Sequence, residues 1–179
     1  FNFNFFATDL FPSFKKQIRE IYKINSNPLF IFGLCLKLFF IFYASPIIIS
    51  NLFIPFIKNI FLDFSLDPWT TFINSQGNIN SFPYGISMIG AYLPLSGIGF
   101  LLDKYFLDLN FIEFFFKISS LLFDYLILIN LSIIIKKKVN NILLICYWLS
   151  PIIFYVTYIH GQLDIVPVSL LLTCITAIN

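Results

Sequence analysis

The chain has 179 residues, of which 59% are apolar and only 11% charged, with a formal net charge of +2. Soluble domains carry about 25% charged residues, so this charge is too sparse to coat a surface facing water. So small a net charge also gives no footing for nucleic-acid binding. Several apolar runs approach the roughly 20 residues that cross a bilayer, and the composition predicts an all-α, polytopic helical membrane protein. The 25 Phe, with abundant Ile, Asn and Lys, fit the codon bias of an A/T-rich genome. They are no evidence for an aromatic site. Cys35, Cys146 and Cys174 lie within apolar runs without metal-like spacing and read as packing residues.

Residues 1–28 form a polar, basic lead, with Lys15, Lys16, Arg19 and Lys23 separated by Phe14, Ile18, Ile21 and Tyr22. That pattern predicts an amphipathic, cytoplasmic helix whose charge sets topology. The chain starts at Phe1 without a Met and stops at Asn179 inside an apolar run, which reads as the N-terminal piece of a longer protein. The first apolar run continues past Ala44-Ser45, which argues against signal cleavage there.

A transmembrane domain is expected over 29–179, with a first span at about 29–50 carrying Pro46 near its outer end. Asn51 to Leu62, interrupted by Pro55 and Lys58, suits an interfacial helix. A polar stretch with Asp63, Asp67, Pro68 and Trp69 follows. Residues 84–102 approach span length but contain Gly90, Pro94, Gly97 and Gly99, which predicts a re-entrant or interfacial helix that does not cross. With that choice, 51–110 forms one outer loop, and further spans are expected at 111–135, 141–159 and 165–179. Lys136-Lys137-Lys138 then lies inside with the basic lead, and Asp63, Asp67 and His160 to Asp164 share the outer face.

The polar residues each admit two readings. Asp67 precedes Pro68, a good helix start, so it is a candidate N-cap as well as a candidate base; Asp63 lies four residues before it. His160, Gln162 and Asp164 form a polar knot between apolar runs. They either complement two helix ends or converge on a ligand. Lys37 and Asp124 lie at similar depths in their spans and are expected to pair, which lessens the cost of each charge; binding of phosphate is the alternative role of Lys37.

The order of motifs carries a resemblance. A basic residue in the first span precedes Asp67-Pro68-Trp69; Phe82-Pro83-Tyr84-Gly85 leads a segment ending in Leu93-Pro94-Leu95; Phe123-Asp124-Tyr125 lies within a span; Leu149-Ser150-Pro151 runs into His160-Gly161-Gln162-Leu163-Asp164. From Pro28 onward this resembles the GT-C superfamily of membrane glycosyltransferases, particularly its mannosyltransferase-like branch. The resemblance implies a first outer loop with interfacial helices and an acidic base, Asp67 or, second, Asp63. It implies a polyprenyl-phosphate-linked sugar donor, an acceptor hydroxyl and transfer with inversion. His160, Gln162 and Asp164 would bind donor phosphate or sugar hydroxyls, with Lys37 also in the substrate-binding set. No cofactor or metal ligand set is evident, although a divalent metal is compatible with the chemistry. The expected setting is a bacterial inner membrane or the endoplasmic reticulum, with the active face extracytoplasmic or lumenal. The acids come later after the first span than in many family members. Two other classes compete: a multi-span transporter or lipid-linked saccharide flippase using Lys37 and Asp124, and an O-antigen polymerase or ligase.

Overall fold

A computed structural model describes residues 21, 24–76, 78, 80–106, 110–135 and 141–178. The basic residues Lys15, Lys16, Arg19 and Lys23 and the tract Lys136–Lys138 lie outside the described residues. Among the described residues the structure is helical, without strands. Its helices are α1 (Pro28–Tyr43), α2 (Ile49–Leu62), α3 (Pro68–Gln76), α4 (Ile86–Asp103), α5 (Phe111–Ile134), α6 (Asn141–His160) and α7 (Ile165–Ile178). By length and composition, α4 and α6 are long and apolar enough to cross a membrane.

Helix α1 starts cleanly, with Asn27 accepting the Leu29 amide at 2.9 Å and Pro28 in the first turn. It does not run to residue 50. Proline disfavours helical geometry in the residue before it, and the chain leaves the helix at Ala44, two residues ahead of Pro46. At 16 residues, α1 is roughly 24 Å long. Helix α2 then follows, π-helical over Ile49–Phe53 and α-helical over Ile54–Leu62. Pro55, expected to interrupt it, sits beside the junction of the two patterns, where a missing N–H is tolerated.

Residues 84–102, expected as a re-entrant or interfacial helix weakened by Gly90, Pro94, Gly97 and Gly99, form one long helix, Ile86–Asp103. Helix α4 is continuous through Pro94. It lies antiparallel on α5, and the approach depends on Gly99, where a Cβ would come within 2.6 Å of the Ile112 Cα and the Phe111 carbonyl oxygen. Seven residues back along α4, Tyr92 stacks on Phe116 at 4.2 Å and meets the Ser120 hydroxyl at 3.0 Å. Asp103 closes the hairpin by accepting the Phe111 and Ile112 amides at 2.6 and 3.2 Å, satisfying donors that a helix start leaves open. Packing on the long helix α5 therefore overrides the local weakness of Gly and Pro.

Contacts fix the directions of the rest. Helices α1 and α6 run side by side the same way: Asn27 bonds Asn141, the Trp148 indole donates to the Phe30 carbonyl, and Phe40 packs on Phe154. Helix α5 runs against them, with Tyr125 near Phe30 and Phe114 near Phe42. Along α7, Thr173 and Thr176 bond the Asn130 amide of α5. One core gathers α2, α4, α5 and the start of α7; a second gathers α1, α5 and α6.

Candidate functional site

Helix α5 carries Glu113, Lys117, Ser120 and Asp124 at intervals of four, three and four residues, and all four are buried. This spacing keeps them on one face. The stripe connects the polar features of the bundle.

At its middle, Lys37 forms an ion pair with Asp124, and both side chains are fully buried. The tyrosines Tyr147 and Tyr158 donate to the two Asp124 oxygens at 2.8 and 2.7 Å. The ammonium lies 3.6 Å from the centre of a Trp148 ring and 5.3 Å from that of Phe154, an arrangement that favours a cation. All four aromatic residues come from α6, whose π-helical stretches Leu144–Trp148 and Phe154–His160 hold them. The pairing expected from sequence is present. Lys37, named as a substrate-binding residue, is enclosed by these partners. The transporter reading rests on this same pair, whose two side chains are fully buried.

The acidic loop is open. Asp67 caps α3: its Oδ1 accepts the Thr70 amide at 3.2 Å and its Oδ2 the Thr70 hydroxyl at 2.6 Å. The Thr70 hydroxyl, then the Thr70 amide, hold its carboxyl below the ordinary value, which weakens it as a base. Asp63 is exposed, and among the described residues its carboxylate takes no side-chain hydrogen bond. Trp69 anchors α3 by donating its indole N–H to the Phe82 carbonyl at 3.1 Å. Phe82 is fully buried, stacks on Phe56 at 5.0 Å, and has a φ of 62°. A positive φ in a bulky residue is strained. Here it turns the chain into Pro83-Tyr84-Gly85.

The expected knot at 160–164 is dispersed. His160 is exposed and stacks on Tyr155 of its own helix at 6.1 Å. Gly161 makes the turn at φ 82°, and a Cβ there would come within 2.9 Å of Pro46 and 2.8 Å of Ile49. Gln162 is half-buried, Leu163 enters the core, and Asp164 is exposed at the start of α7. No side-chain hydrogen bond joins His160, Gln162 and Asp164 among the described residues. Asp164 instead lies near enough to Tyr84 to act on it electrostatically. The Tyr84 hydroxyl is held above its ordinary value by burial first and then by the Asp164 charge.

Sequence reasoning missed Glu113, Lys117, Tyr147, Tyr158 and the role of Tyr84. The first two were legible as an i, i+4 acid–base pair in phase with Asp124. The tyrosines were not, because π-helical turns displace them from any regular period. Among the described residues, no group of three or more His, Cys, Asp or Glu side chains is placed to hold a metal. No family model, curated protein or solved structure matches the chain.

Proposed function

We propose that the chain belongs to a membrane-embedded glycosyltransferase of the GT-C type. It moves a sugar from a polyprenyl-phosphate donor to an acceptor hydroxyl at the extracytoplasmic or lumenal face. The observation that carries this reading is the packing of Phe82, Tyr84 and Leu163 into one core, with Asp164 near enough to act on the Tyr84 hydroxyl. It joins the Pro83-Tyr84-Gly85 and Gly161–Asp164 tracts, which lie far apart in sequence and supply two of the motifs behind the family resemblance. The membrane assignment is supported by composition and by the two apolar helices α4 and α6. The proposed orientation is supported by the bond from Asn27 to Asn141, two residues close in sequence to the two basic tracts. By the positive-inside rule their end of the bundle is cytoplasmic.

In this reaction the acceptor oxygen attacks the anomeric carbon as its proton passes to a carboxylate. The bond from that carbon to the phosphate oxygen breaks, its electron pair leaves with the polyprenyl phosphate, and the configuration inverts. Asp63 now ranks ahead of Asp67 as base, because Asp67 is committed to capping and its proton affinity is lowered. Tyr84 and Asp164 bind sugar hydroxyls. His160, Gln162 and Lys37 are left without a direct role: one is exposed, one is half-buried without a side-chain partner among the described residues, and one is enclosed.

Membranes carrying the full-length protein are assayed with radiolabelled polyprenyl-phosphate sugars. Asp63→Asn is expected to lower transfer by about 10²- to 10⁴-fold, the usual contribution of a general base. Asp67→Asn is expected to retain most activity, since Asn caps helices as well as Asp does. Transfer unaffected by either change removes the base assignment, and absence of transfer from every donor by the wild type removes the function.

A further inference from the structure

A second polar site lies at the other end of the α5 stripe. Where α1 ends and α5 begins, a groove of about 230 Å³ is lined by Phe42, Ser45, Asn110, Glu113, Phe114 and Lys117. Glu113 and Lys117 are only 5% and 7% exposed. Groups that deeply buried are normally fully engaged, so the useful question is which bonds remain open.

Glu113 receives the Lys117 ammonium on Oε1 at 3.1 Å, and Ser50 and Asn110 on Oε2, each at 3.1 Å. A carboxylate offers about four acceptor positions, so one remains, on Oε1. The Lys117 ammonium donates to Glu113 and, at 2.8 Å, to the Ala44 carbonyl. An ammonium has three donors, so one remains there as well. Among the described residues, the Ser45 hydroxyl and the Asn110 amide oxygen, which line the groove, take no hydrogen bond. The groove thus presents one open donor beside one open acceptor, and its charges cancel. Its walls are aromatic, and Phe42, Phe39 and Phe32 continue as an exposed apolar line down α1, 73%, 54% and 58% exposed.

We propose that this groove binds the head of a zwitterionic phospholipid of the phosphoethanolamine type, with an acyl chain lying along α1. The lipid phosphate accepts from Lys117 and Ser45, and its ammonium donates to Glu113 and the Asn110 carbonyl oxygen. An anionic head satisfies Lys117 but sets a negative charge against Glu113, and an uncharged head satisfies neither ion. The groove shares no lining residue with the Asp63–Asp67 loop or the Asp164 turn, so it stands independently of the glycosyltransferase reading.

The test is native mass spectrometry of the purified full-length protein from maltoside micelles doped with palmitoyl-oleoyl phosphatidylethanolamine, phosphatidylglycerol or diacylglycerol. Phosphatidylethanolamine is expected to be retained about tenfold better than either of the others, the size of one charge-assisted hydrogen bond. Ser45→Trp fills the groove from an exposed position without touching the ion pair, and is expected to abolish that preference while leaving the melting temperature unchanged. Glu113→Gln is expected to bring the phosphatidylglycerol and phosphatidylethanolamine retentions together. Equal retention of the three lipids by the wild type, a preference for phosphatidylglycerol, or an unaltered preference in Ser45→Trp each overturns the proposal.

Discussion

Lys37–Asp124 and Glu113–Lys117 both bury opposite charges against one face of α5, yet they differ in what surrounds them. Around Asp124 each oxygen has a tyrosine donor, and the Lys37 ammonium is shared with Asp124 and faced by the rings of Trp148, Phe154 and Tyr158. Around Glu113 and Lys117 the partners are a serine, an asparagine and one backbone carbonyl, and the pair lines an open groove. The first pair joins three helices through side chains; the second joins neighbouring residues on one helix to the elbow after α1. Burial alone therefore does not separate a structural charge from a binding one. An open groove beside the pair does.

The difference is most easily broken at Asp124. Asp124→Asn leaves the Lys37 charge buried without its counterion, a change that costs about 3–5 kcal/mol where buried pairs have been cut, and the expected result is a large loss of thermal stability in detergent. Lys37→Met with Asp124→Asn is expected to recover most of it, because no lone charge remains; a single mutant as stable as wild type would show that the pair does not hold the bundle. Glu113→Gln is expected to have a smaller effect, about 1–3 kcal/mol, since Lys117 keeps the Ala44 carbonyl and can turn its charge toward the groove. A melting-temperature loss equal to that of Asp124→Asn would erase the contrast between the two sites. Tyr158→Phe sharpens it from the other side. It removes one of two tyrosine donors from a carboxylate that keeps Lys37 and Tyr147, and a loss of about 0.5–1.5 kcal/mol is expected in the same measurement.

Helix type, the pairing of Lys37 with Asp124 and the capping by Asp67 were legible because each depends on residues whose spacing or burial cost speaks for itself. Asp67-Pro68 is a local signal, and an apolar run leaves a charge few places to go. The end of α1 falls earlier than the apolar run suggests because Pro46 acts on the residues before it, and α4 stays continuous through Pro94 because packing on a long partner helix outweighs local propensity. His160, Gln162 and Asp164 looked convergent in sequence, but π-helical geometry and the left-handed Gly161 send them different ways.

Composition and periodicity by themselves determined a helical reading that the described residues bear out, with charge sparser than an ordinary water-facing surface carries, and they named most of the charged residues that matter. Only the tertiary structure decided which of those charges are sealed and which stay open. Sealing depends on side chains from α1, α5 and α6 arriving at one point, and that meeting has no period along the chain.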